Sequence, residues 1–311
     1  MSGTDPRLPG GELAAFVAAV ETGTVGGAAD SLNLTQSAAT KRIQTLERRV
    51  GARLLQRGPL GVAPTDLGLR LYPEAKHVLA ALDAAERVLA EQDTRDAPLH
   101  LAASRTLGEF VLPGLLTAFR LTAGGGRVEL DVRNSLAVLA AVRGGEVDIG
   151  FVEGADPLDG LDVLTLLRDE IVVVVSVRHP WARRGRVSPS ELAREAFFTR
   201  EQGSGTRAVA ETALSRVGVT LSPTLEAAST HSLKRAVRDG GFTLLSRLAV
   251  EDDDAGTLAI VAVHGADLSR ELRAVRVSGR ALTPGERRFW SFLRSGAGFA
   301  APEQAPAVSG I

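Results

Sequence analysis

The sequence predicts an α/β protein fronted by a small, basic helical module. Three observations predict it. Residues 10–50 carry helical patterning that runs into a concentrated block of positive charge. One long heptad-like helix follows, over 65–92. From Leu99 onward, short apolar runs alternate with helical stretches, the rhythm of strands wrapped by helices.

Within the module, Ala28-Ala29-Asp30-Ser31-Leu32 reads as a short helix, and a tight turn leads into a second helix from Gln36. Gln36, Ser37, Thr40, Lys41 and Gln44 share one face of that second helix. Ile43, Leu46 and Val50 share the other, where they can pack on Ala28, Ala29 and Leu32. This is a helix-turn-helix pattern. Glutamine beside short hydroxyls, Lys41 and Arg42 matches the hydrogen-bonding edges and phosphates of a DNA major groove. A merely solvated polar face is the alternative. Six basic residues (Lys41, Arg42, Arg48, Arg49, Arg53, Arg57) stand against Glu47 alone between 36 and 57, in a chain of formal net charge −1. Such local excess is the footprint expected for phosphate. Residues 57–65 (Arg57-Gly58-Pro59-Leu60-Gly61-Val62-Ala63-Pro64-Thr65) are turn-rich with apolar flanks, as a two-stranded wing would be. Gly26-Gly27 weakens its helix by about 1 kcal/mol per glycine, so packing or a close backbone approach must hold it.

Thr65 is a good N-cap for the long helix. Leu67, Leu71, Ala75, Val78, Leu82, Ala85 and Leu89 recur at a period near 3.5. That is a coiled-coil seam, which predicts dimerisation through Leu67, Leu71, Val78, Leu82 and Leu89. A helix buried in its own domain is the alternative. Asp93–Pro98 reads as a hinge.

Beyond it, strands are expected at 99–103, 128–132, 147–151 and 169–177, the last containing the apolar run Ile171–Val175. Helices are expected at 109–121, 136–143, 207–217 and 233–238. The rhythm predicts parallel sheets. In such sheets, ligands sit at the carboxyl ends of strands beside helix N-termini. Four segments fit: Ser104-Arg105-Thr106; Asn134-Ser135; the loop containing Arg200 and Gly203-Ser204-Gly205-Thr206; and Ser229-Thr230-His231-Ser232. Their hydroxyls and free N–H groups suit a small anion, with Arg105 and Arg200 as counter-charges. Each segment could equally be a helix cap. The glycine-rich loop lacks the Lys-Ser/Thr of a nucleotide-hydrolysing loop.

Composition narrows the function further. The chain has 311 residues, 44% hydrophobic content and no cysteine, so disulfides, thiolate metal sites and thiol redox switches are excluded. No apolar run reaches membrane-spanning length and no export signal is expected, which places the protein in the cytoplasm. His77, His100, His179, His231 and His264 are scattered without metal-ligand spacing, and no nucleophile elbow occurs, so neither a metal, a cofactor nor catalysis is expected. Glu251-Asp252-Asp253-Asp254 reads as a solvated loop.

Leu13, Phe16, Val20, Glu21, Gly23, Ala28-Ala29, Leu32, Gln36, Ala38, Ile43, Leu46-Glu47, Gly51, Leu54, Arg57, Thr65 and Gly68 together resemble the spaced pattern of the LysR-type transcriptional regulators, and the likeness runs on to about residue 295. Ser37, Thr40 and Leu55 depart from the proline, serine and phenylalanine usual there. The resemblance implies a winged helix-turn-helix over 1–65, with Gln36, Thr40, Lys41 and Arg57 approaching DNA. It also implies a linker helix over 66–92, a hinge at 93–98 and an effector-binding domain over 99–297 similar to periplasmic solute-binding proteins. Lobe I would take 99–166 and 268–297, lobe II 167–267, and a disordered tail 298–311. The partners implied are double-stranded promoter DNA, a small anionic effector, further copies in a homodimer and homotetramer, and RNA polymerase where the regulator activates. The absence of cysteine sets the chain apart from the peroxide-sensing branch. The rival is a cytoplasmic small-molecule-binding or enzymatic α/β protein with an incidental basic helix.

Overall fold

The computed structural model describes residues 10–58, 61–90, 98–123, 126–154, 156–250 and 256–297. The chain divides into two compact units with a break near residue 95. The expected hinge, apart from Pro98, the acidic run Glu251–Asp254 and the tail 298–311 lie outside the described residues.

The first unit is three helices, a hairpin and a long helix: α1 (Gly10–Thr22), α2 (Val25–Ser31), α3 (Gln36–Val50), β1 (Leu55–Gly58), β2 (Gly61–Pro64) and α4 (Asp66–Ala90). Leu13, Phe16, Ala28, Ile43, Leu46 and Leu54 form its core. The expected packing face of α3 is corrected at one end, because Val50 is 37% exposed. It closes the helix beside the left-handed cap Gly51, a turn beyond the last core position. A Cβ on Gly27 would lie 2.8 Å from Thr22 Cβ, so close approach explains that glycine; Gly26 faces open space and nothing in the structure explains it. The wing is antiparallel, with Leu55 opposite Pro64 and Gly58 opposite Gly61. It is anchored where Val62 N–H donates to Gly23 O (2.7 Å). Gly61 sits there at φ 127°, and a Cβ would fall 2.2 Å from that carbonyl.

Thr65 caps α4 by accepting from Gly68 N–H (3.1 Å). In the first half of the expected dimer seam, Leu67 and Leu71 are half-buried and Ala75 is buried. Leu67, Leu71 and Ala75 pack into their own unit's core, because α1 and the wing already supply an apolar surface there. Val78 and Leu82 are 41% and 45% exposed, and the side chain of Leu89 is outside the description.

The second unit opens with β3 (Leu99–Ser104), α5 (Arg105–Phe110), α6 (Leu112–Ala123), β4 (Val128–Arg133), α7 (Ser135–Arg143) and β5 (Ile149–Glu153). The single helix expected over 109–121 is two, starting directly after Ser104. The stretch continues with β6 (Leu161–Ser176), α8 (Pro180–Arg184), β7 (Arg186–Val187), α9 (Pro189–Leu192), β8 (Phe197–Thr199), α10 (Gly205–Arg216) and β9 (Pro223–Glu226). It ends with α11 (Thr230–Ala236), a 3₁₀ turn, β10 (Phe242–Ser246), a second 3₁₀ turn, β11 (Leu258–Val263), β12 (Ser269–Val277) and α12 (Pro284–Ser295).

The sheet is mixed rather than parallel. β3 pairs in parallel with β4 and β5, and β10 with β8, but β6 and β12 run antiparallel to their neighbours. The boundary expected at 166/167 falls inside β6, a single 16-residue strand. No turn signal interrupts Leu161–Glu170, whose alternating pattern is half exposed and pairs with β12. It runs directly into Ile171–Ser176, which is buried and pairs with β10 and β11. One strand thus serves both lobes. Phe119, Phe151 and Phe289 centre lobe I's core; Trp181, Phe197 and Phe242 centre that of lobe II.

Candidate DNA-reading face and effector cleft

In the first unit, Thr35 caps α3 by accepting from Ala38 N–H (3.2 Å), so Gln36 and Ser37 begin the helix with side chains in solvent. Lys41 and Gln44 are exposed on the same face, with Thr40 half-buried and its hydroxyl donating to Gln36 O (2.8 Å). Lys41 has no ion-pair partner among the described residues. Arg42 departs from the face: its guanidinium lies where a Cβ on Gly11 would be 3.3 Å away, against α1. Arg49 pairs with Glu12 (3.7 Å) and Arg53 with Glu47 (3.8 Å). Arg57 lies in β1, its side chain outside the description. Sequence reasoning missed Glu47 as a staple. Its Oε1 accepts from Leu54 N–H (2.9 Å) and Leu55 N–H (3.2 Å), tying the helix to the wing. The signal was available: it is the one acid in a basic segment, on the core face.

In the second unit, Ser104, Thr106, Ser135, Ser204, Gly205 and Thr206 are buried where α5, α7 and α10 begin. They are brought together around a residue the sequence reading missed. Arg270, on β12, donates to Thr206 Oγ1 (2.9 Å) and Thr106 Oγ1 (3.4 Å), one hydroxyl from each lobe. Asp169 accepts from it at 2.8 Å and Glu153 lies at 3.6 Å. Ser246 donates to Asp169 (2.8 Å), and Ser104 donates to Glu153. Arg270 shares its strand face with Leu272 and Ala274; an arginine in phase with an apolar row was the signal.

The lobes meet tightly beside this cluster. Leu136 N–H donates to Gly203 O (3.2 Å) and Asn134 Nδ2 to Gln202 O (3.2 Å). A Cβ on Gly205 would lie 2.1 Å from Glu153 O and 2.7 Å from Ser135 Oγ, so only glycine fits. Ser204 caps α10, and Gly205 and Thr206 are that helix's first residues rather than a free loop. Of the two expected counter-charges, Arg200 is already committed in a two-pronged pair with Glu201 (2.9 and 3.1 Å), whereas Arg105 lies 3.6 Å from the same carboxylate with its buried Nε lacking a hydrogen-bond partner. Thr230 is buried at the start of α11, whereas His231 is exposed. Three buried polar atoms here have no hydrogen-bond partner, Arg105 Nε, Ser135 Oγ and Asp169 Oδ1.

Two family models match the chain. The bacterial regulatory helix-turn-helix protein, lysR family, matches residues 11–69, and the LysR substrate binding domain matches 92–298. The chain belongs to the LysR family. An uncharacterised HTH-type transcriptional regulator of Mycobacterium tuberculosis strain H37Rv is 37% identical over 278 residues, covering 85% of this chain and 89% of that protein. Among solved structures, a full-length OxyR variant from Pseudomonas aeruginosa has the same fold, with a TM-score of 0.65 at 18% identity over 94% of this chain and 95% of that one. The CcmR regulatory domain of Synechocystis PCC6803 in complex with 2-PG matches 64% of this chain and 96% of its own, at 26% identity and a TM-score of 0.59. As a LysR-type protein, the chain is a transcriptional regulator with a helix-turn-helix domain and an effector-binding domain, and not an enzyme. Among the described residues, no helix is long and apolar enough to cross a membrane.

Proposed function

We propose that this LysR-type regulator reads promoter DNA in the cytoplasm through Gln36, Ser37, Thr40, Lys41 and Gln44, with Arg57 on the wing, and is modulated by a small anion bound where α7 and α10 begin. The division of labour is that of the sequence reading: 1–65 bind DNA, 66–92 dimerise, 99–297 sense. Leu69, Val78 and Leu82, exposed along α4, support a helix that meets a second copy, and two dimers make a tetramer. Where the regulator activates, RNA polymerase is a further partner.

The observation that carries the effector reading is the convergence of buried hydroxyls from both lobes beside polar atoms left unpartnered, Ser135 Oγ above all. A buried hydroxyl without a partner costs free energy unless something completes it. With Arg200 held by Glu201, an anion is recognised chiefly by hydroxyls, helix N–H groups and the unpartnered Arg105 Nε. The CcmR regulatory domain, 26% identical, is in complex with 2-PG, which supports a small-molecule effector for this domain. Binding would bias the lobe arrangement and thereby DNA occupancy.

The test is a thermal-shift screen of the full chain against small anions, beside the Ser204→Ala/Thr206→Ala variant. A ligand at about 100 times its Kd adds about 2.7 kcal/mol of stability. A hit abolished in the variant supports the site; a hit that survives it places the effector elsewhere.

A further inference from the structure

A cavity of about 430 Å³ opens beside the cluster, between α10 and the two strands that link the lobes, β6 and β12. That is the size of a small-metabolite site. It touches the effector cluster through Arg270 but includes none of the hydroxyls discussed above. One wall is α10, which presents Val209 and Ala213 as an apolar patch and Arg216, its last residue, at one end. The opposite wall is the paired strands, which present Arg168, Glu271 and Arg273.

Four arginines (Arg168, Arg216, Arg270 and Arg273) and two carboxylates (Asp267 and Glu271) line this cavity. Glu271 is taken by Arg273, which donates to it at 2.9 and 3.1 Å, and by the Thr165 hydroxyl. Arg273 also reaches Gly154 O (3.5 Å). Asp267 accepts from the Ser269 hydroxyl (2.6 Å) and N–H (3.0 Å), and these bonds hold its carboxyl below the usual range. Arg168 and Arg216, both exposed, make no hydrogen bond and no close ion pair among the described residues, although the charge of Arg216 reaches Asp267 and that of Arg168 reaches Glu271, lowering both carboxyls. Two guanidinium groups whose donors make no hydrogen bond, one on each wall of a cavity also lined by Val209 and Ala213, are complementary to a molecule with an anionic group at each end and a short apolar body.

We propose that this cavity is a second ligand site, separate from the effector cluster, that takes a small dianion of the dicarboxylate class, clamped between Arg216 of α10 and Arg168 of β6. A ligand there bridges the helix whose first turn carries Gly205 and Thr206 to the strands that carry Asp169 and Arg270. It therefore stabilises one arrangement of the lobes without entering the hydroxyl cluster. The inference goes beyond the proposed function and does not need the effector to bind where that reading puts it.

The test uses the full chain, with succinate as the dicarboxylate probe and sodium chloride at matched ionic strength as control. Binding is followed by calorimetry and thermal shift. Succinate is expected to bind the wild type with a Kd near or below about 1 mM, and Arg168→Gln/Arg216→Gln is expected to weaken it about tenfold or more. Ser135→Ala, which removes a cluster hydroxyl that neither bonds Arg270 nor lines the cavity, is expected to leave succinate affinity within about twofold. Both arginines are surface side chains, so unchanged circular dichroism and unfolding midpoint are expected for the double variant. The proposal is overturned if succinate shifts nothing beyond the chloride control, or if the double variant binds as tightly as wild type. It is also overturned if Ser135→Ala weakens binding to the same degree, which would place the dianion in the effector cluster instead.

Discussion

Arg270 is the residue whose removal tests the architecture of the effector cleft most directly. Its side chain is 2% exposed and lies 2.8 Å from Asp169 and 3.6 Å from Glu153. At an effective dielectric of about 20, the closer pair attracts with about 6 kcal/mol, most of which offsets the desolvation of burying both charges. Replacing Arg270 with methionine keeps the bulk but strands two buried carboxylates and removes the donor shared by Thr106 and Thr206. Removing one partner of a buried pair costs about 3–5 kcal/mol, and that is the expected loss. The assay is urea unfolding followed by tryptophan fluorescence. Trp181 lies in lobe II and Trp290 in lobe I, so each lobe carries a reporter. A double variant, Arg270→Met/Asp169→Leu, removes one stranded charge and is expected to recover about 2 kcal/mol relative to additivity. If Arg270→Met costs less than about 1 kcal/mol, or the two substitutions simply add, the guanidinium is not what joins the lobes and the reasoning fails.

Three further outcomes follow from the geometry. Lys41→Ala should weaken DNA binding across all sequences and lower the slope of log affinity against log salt by about one, whereas Gln36→Ala should cost about 1–3 kcal/mol only on sites with the preferred base; equal loss on all DNA would remove Gln36 from base reading. Gly205→Ala drives a Cβ into Glu153 O, so it should separate the lobes at a cost of about 1–3 kcal/mol and speed hydrogen exchange at 104–107; unchanged exchange would mean the contact is dispensable. Glu286 is pushed up to about 7, by burial first and then by its hydrogen bond with Asp148 and that neighbour's charge, against the pull of Arg280. The folded chain therefore keeps a proton that the unfolded chain releases near 4.5, and stability declines as pH rises from there to about 7, by at most about 3 kcal/mol, then levels off. Glu286→Gln should flatten that decline in unfolding midpoints measured from pH 5 to 8, and an unaltered profile would clear Glu286 of the effect.

The sequence by itself determined what depends on local periodicity. The polar and apolar faces of α3, the cap at Thr65, the turn-rich wing and the βα rhythm all follow from neighbours a few residues apart, and they carried the family resemblance with them. It also determined which segments supply hydroxyls to the cleft: Ser104, Thr106, Ser135 and Thr206 do meet. Tertiary structure decided how they are arranged. The partners of Arg270 lie 64, 101 and 164 residues away along the chain, distances over which no local pattern speaks. The same holds for Arg105, which lies 3.6 Å from Glu201 only because the chain folds, whereas Arg200 pairs with its immediate neighbour, a partner the sequence did offer. Leu67 and Leu71 illustrate the reverse ambiguity. A period near 3.5 states that a helix has an apolar stripe, but not whose surface covers it, and here the core of the same unit covers part of the first half.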